Sequence, residues 1–84
     1  MTLAAVATTS PALEDSIVIF PNPGEKTLFL KGLEHEDFVE VFNAKGKLMV
    51  SGFGLSLINM APFAKGIYFI RVNNYPIGKW IKQG

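Results

Sequence analysis

The chain has no cysteine, one histidine, one tryptophan and two tyrosines in 84 residues. Without cysteine there is no disulfide framework and no thiolate metal site, and the redox compartment stays open, since exported domains also do without disulfides. No apolar run is long enough to cross a membrane as a helix. The opening stretch "MTLAAVATTSPALED" lacks a basic start, and its apolar patch is too short for a signal peptide. Residues 1–16 therefore read as a linker, native or appended, rich in Ala, Thr, Ser and Pro, with the folded domain at 17–84. A chain of this size makes one domain and leaves little room for a large enzyme cleft.

Acidic residues are missing from the whole second half. Residues 1–40 carry all seven acids and two lysines, a net of −5. Residues 41–84 carry six basic residues and no acid, a net of +6, so the overall +1 conceals two opposed halves. Either a basic surface forms late in the chain, or strands from the two halves pair and their charges cancel across the ladder.

Hydrophobic residues make up 49% of the sequence and aromatics 12%, enough for a packed core. No window holds a 3.6-residue period, whereas short β-branched and aromatic runs recur between turn signals. The strands expected are 17–20, 27–31, 38–43, 47–51, 55–59, 67–72 and 79–83, seven in all, the pattern of an all-β antiparallel sandwich or barrel. Pro23 and Gly24 suit the centre of a type II turn with Gly24 at positive φ. "NAKGK" places Gly46 as the left-handed residue of a hairpin turn. "NNYPIG" is read as the link into the last strand, and "GFG" at 52–54 as a bend or bulge.

Period-two alternation puts Val39 and Val41 on one side of their strand, with Leu48 and Val50 opposite them, and Phe38, Glu40 and Phe42 on the other side. Tyr68, Ile70 and Val72 share a face. Phe29, Phe38, Phe42, Phe69 and Trp80 are placed partly outside the core, either capping its edges or forming a partner-binding patch.

Chemistry is sparse. His35 lies in "EHED" beside Glu34, Glu36 and Asp37, but a single His in one acidic turn lacks the spaced ligands of a zinc or calcium site, so a solvated charged turn is expected and no metal or cofactor. No Gly-x-Ser-x-Gly elbow and no phosphate-cradling loop before a helix is present, which argues against an enzyme. "YFIRV" and "GKWIK" mix basic and aromatic residues as nucleic-acid-binding sheets do, yet a net charge of +1 disfavours that partner.

"IVIFPNPGEKTLFLKGL", "VEVFNAKGKLMVSG", "GIYFIRV" and "GKWIKQ", in this order and spacing, resemble the type A C-terminal sorting domain of proteins exported by the type IX secretion system of Bacteroidetes bacteria. The similarity covers about residues 17–83. It implies an immunoglobulin-like sandwich that carries its parent protein through the periplasm to the outer-membrane translocon and on to the cell surface or medium. There it is cleaved by a sortase or kept in the surface machinery. Translocon, sortase or shuttle proteins are then the partners.

Carried over by position, Pro21, Asn22, Pro23, Gly46, Gly66 and Tyr68 are motif positions of structural character. Arg71 on the sixth strand and Gly78, Lys79, Trp80, Ile81 and Lys82 at the last are candidates for partner recognition, the last strand's open edge and lysines inviting strand addition. The alternative reading of those lysines is as ordinary edge residues that deter aggregation. A second function, of another class, is a carbohydrate- or surface-binding module stacking ligand on Phe69, Tyr75 and Trp80. The sequence leaves open whether edge strands pair in a dimer.

Overall fold

The computed structural model describes residues 17–84; the linker reading of 1–16 lies outside the described residues. Seven strands follow one another: β1 (Val18–Phe20), β2 (Thr27–Lys31), β3 (Phe38–Asn43), β4 (Leu48–Phe53), β5 (Leu57–Asn59), β6 (Gly66–Val72) and β7 (Tyr75–Lys82). They form two antiparallel sheets, ordered β1-β2-β5 and β4-β3-β6-β7. Among the described residues there is no helix, and so none long and apolar enough to span a membrane.

One core joins the two sheets. Leu28, Leu30 and Ile58 contribute from the three-stranded sheet, and Val39, Val41, Tyr68, Ile70, Val72 and Trp80 from the four-stranded one. This is the alternation of β2, β3 and β6 made physical: every second side chain enters the core, and each large one buried stabilises the fold by roughly 1.5–3 kcal/mol. Trp80 is fully buried, contrary to its expected place at the edge of the core. The phenylalanines do stand partly outside: Phe29, Phe38 and Phe42 are half-buried and Phe69 is exposed.

The hairpin turn of "NAKGK" forms as its residues suggest. Gly46 takes φ 87° and donates to the Asn43 carbonyl at 2.9 Å, while the Asn43 side chain accepts from Lys45 and Lys47, also at 2.9 Å. Beyond the turn β3 and β4 run in register until a bulge between Val41 and Phe42. The extra residue shifts Leu48 opposite Phe42 and out to solvent, so only Val50 opposes a valine. β4 continues through Gly52 to Phe53 and β5 begins only at Leu57, so the "GFG" segment is largely strand and bends at Gly54, where φ is 62°.

Two other expectations change. The link between β6 and β7 is just Asn73 and Asn74, both at positive φ (51° and 69°), a two-residue turn whose twist matches a tight hairpin. Asn tolerates that backbone region, so "YPIG" is free to be strand and β7 starts at Tyr75. Pro76 is accommodated because β7 lies at the sheet edge and its register with β6 slips by one residue beside it. Pro23 and Gly24, in turn, make no type II turn of the expected kind: Gly24 is not at positive φ and instead forms a bridge to Lys82. The Phe20–Pro21 and Asn22–Pro23 peptide bonds are cis.

The opposed halves of the sequence meet in the β3–β6 ladder. Glu40 lies across from Arg71, and their side chains form an ion pair at 2.9 Å, the one such pair among the described residues. The rest of the charge stays separated: Glu34, Glu36 and Asp37 precede β3, while Lys45 and Lys47 follow it, at the opposite end of the same strand.

Candidate recognition surface

Strand register decides which candidate residues face outward. In β6, Ile67, Phe69 and Arg71 alternate with the buried Tyr68, Ile70 and Val72 and so line the outer face of the four-stranded sheet. Across the ladders, Phe69 lies between Phe42 and Lys79, Arg71 between Glu40 and Pro76, and Ile67 opposite Ile81. These rows enclose an open, mainly apolar groove of about 380 Å³ bounded by Phe42, Phe69, Arg71, Pro76, Gly78 and Lys79.

The electrostatics of the groove follow from its pairs. The Arg71 guanidinium is already engaged, bonded to Glu40 and stacked 4.7 Å over the centre of the Phe42 ring. Lys79 is exposed and has no carboxylate within ion-pair distance among the described residues. An incoming group therefore meets aromatic surface with one uncommitted positive charge at its rim.

Arg71, Lys79 and Ile81 thus share the outer face, whereas the other recognition candidates serve the interior. The Trp80 indole N–H donates to the Pro21 carbonyl. Lys82 is buried and its Nζ donates to the Gly84 carbonyl at 2.9 Å, so it does not project from the strand. Gly78 offers backbone to the groove, but its missing side chain faces inward: a Cβ there would stand 2.9 Å from Cδ1 of Ile19 on β1. With Trp80 enclosed, the aromatic platform of the carbohydrate reading loses its largest member; Phe69 and Tyr75 remain exposed.

The outer edge of β7 is not open over its second half. Asn22 donates its side-chain amide to the Lys79 carbonyl at 2.9 Å and accepts from the Ile81 N–H at 3.0 Å. Gly24 continues the ladder, donating to the Ile81 carbonyl (2.9 Å) and accepting from the Gln83 N–H (2.7 Å). The Pro21–Gly24 segment thereby acts as a short eighth rail beside β7. Prolines carry no N–H to give a ladder, so the asparagine between them supplies side-chain groups in their place.

Of the residues bounding the groove, Phe42 is one of the aromatics that alternation places outside the core, whereas Pro76 was missed as a site residue because its place depends on the register slip. The remaining motif positions make local backbone and packing contacts. Gly46 and Gly66 hold positive φ (87° and 147°), and the Tyr68 hydroxyl donates to the Ala64 carbonyl. The acidic turn is exposed and closes on itself, Asp37 accepting from the Glu34 N–H and from the Asn73 side chain at 2.9 Å each. Among the described residues no three His, Cys, Asp or Glu side chains gather to hold a metal.

None of the curated proteins compared matches this chain. A family model described as a secretion system C-terminal sorting domain matches residues 18–83, the whole run from β1 to the end of β7. That family is a sorting signal of type IX secretion and not a known enzyme family. With so much of its length matched, the chain belongs to the type IX secretion C-terminal sorting domains.

Proposed function

We propose that the domain directs a parent protein through the type IX translocon to the cell surface, and that the machinery reads the folded outer face of the β6–β7 hairpin. In this account the sandwich is immunoglobulin-like, passes through the periplasm, and meets translocon and sortase or shuttle proteins at the outer membrane. The observation that carries the reading is the common outward placement of Arg71, Lys79 and Ile81, the first two bordering an apolar groove, in a chain whose family is a sorting signal. Apolar surface with one free cation at its rim gives affinity from burial and orientation from charge.

Because Asn22 and Gly24 occupy the edge of β7, capture of this strand by simple strand addition requires their displacement. The proposed contact is therefore through side chains on the face. The test is a reporter fused to the chain and expressed in a bacterium with an active type IX system and in a translocon-deficient strain. Surface display confined to the active strain is expected, and loss of the domain's mass would add cleavage; periplasmic retention in both strains would overturn the reading.

A further inference from the structure

We propose that two copies of this chain pair through the outer edge of β4, antiparallel and two-fold symmetric, joining their four-stranded sheets into one of eight strands. The argument begins with the edges. A sheet edge left open invites pairing, and native edges are blunted by shortness, charge, proline or a covering segment. β1 and β5 have three residues each, and β7 carries Pro76, Lys79 and the Pro21–Gly24 rail. β4 has none of these protections: "LMVSGF" is six residues long with no charge and no proline, and Leu48 and Phe53 are exposed. Among the described residues only β3 pairs with it. Its bulge lies near its start, leaving Val50 to Phe53 in regular register.

Charge selects the occupant. Exposed Lys45 and Lys47 stand at the start of β4. At its other end the Gly54 N–H donates to the Asp37 carbonyl at 2.8 Å, and a Cβ on Gly54 would meet the His35 backbone at 2.9 Å, so the Glu34–Asp37 turn lies against that end. Antiparallel pairing of two β4 strands sets the lysine end of each copy beside the acidic end of the other. This attractive contact is made twice, once at each end of the pair, by symmetry. A two-fold axis at Ser51 places Val50 against Gly52 of the second copy with both on the core side, the alternation a paired strand requires. A parallel arrangement would set lysines against lysines.

An interface of one strand pair falls below the roughly 1,200 Å² of a stable complex, so the dimer forms only at high concentration. Sedimentation of the 84-residue chain over a range from micromolar to millimolar tests it. The expected result is a mass that rises to two copies and no further, less readily as salt is added. The double variants Lys45→Glu/Lys47→Glu and Glu34→Lys/Glu36→Lys, all at exposed positions, should each stay monomeric with unchanged melting. An equimolar mixture of the two should dimerise again, because exchange of charge on one copy complements exchange on the other. A wild-type chain monomeric throughout, growth beyond two copies, or a mixture that fails to recover would each overturn the proposal.

Discussion

Gly24 lies so close to the indole of Trp80 that a Cβ built on it would stand 2.7 Å from Cζ2. The glycine is needed for this approach and not for its backbone angle, since its φ is not positive. Trp80 is fully buried and cannot swing away, and the Pro21 carbonyl closes the other side at 2.9 Å. Gly24→Ala is therefore expected to destabilise the domain by about 1–3 kcal/mol, the usual range for overpacking. Denaturant unfolding measures it, and an unchanged midpoint would contradict the packing described.

Asn22 is the second support of the same rail. Its side chain replaces a strand's worth of backbone pairing at Lys79 and Ile81. Since these bonds are exposed and water can take over part of their role, Asn22→Ala should cost about 0.5–1.5 kcal/mol per bond lost. Amide exchange reads the change more directly: the Ile81 N–H should exchange faster in the variant. An Ile81 amide equally protected in both proteins would mean that the side chain is not its partner.

Gly66 opens β6 at φ 147° with nothing within 4 Å of a Cβ position. A larger residue there is strained without being crowded. Gly66→Val should destabilise the domain by about 1 kcal/mol or more through backbone conformation alone. A melting temperature equal to the parent's would show that the strand start relaxes freely.

What the sequence disclosed and what it hid follow from the range of the interactions. The strands, the Gly46 turn and the inward faces of β3 and β6 rest on alternation and on local turn chemistry, so they were legible in the residues themselves. The start of β7 was not, because "NNYPIG" contains enough turn-forming residues to pass for a loop; two asparagines at positive φ suffice for the turn and release the rest to the strand. Leu48 was misplaced by a bulge, which breaks the period on which the reading relied. For the recognition surface, the sequence reading kept Lys79, Trp80, Ile81 and Lys82 together as candidates, although alternation along β7 turns Trp80 and Lys82 inward and leaves Lys79 and Ile81 outside. The covering of the β7 edge was invisible because it joins residues 22 and 24 to residues 79 to 83, a contact made by the fold and by no local pattern.

The central claim is that the sorting machinery reads the outward face of the β6–β7 hairpin, and Lys79 isolates it: its side chain is exposed, it borders the groove, and no ion pair holds it among the described residues. The most direct measurement is the surface-displayed fraction of a reporter fused to the Lys79→Glu chain, in a bacterium with an active type IX system, beside the unmodified fusion. The account predicts a marked fall in display with melting unchanged to within about 0.5 kcal/mol of stability, as expected of a surface substitution. Display equal to that of the unmodified fusion would contradict it.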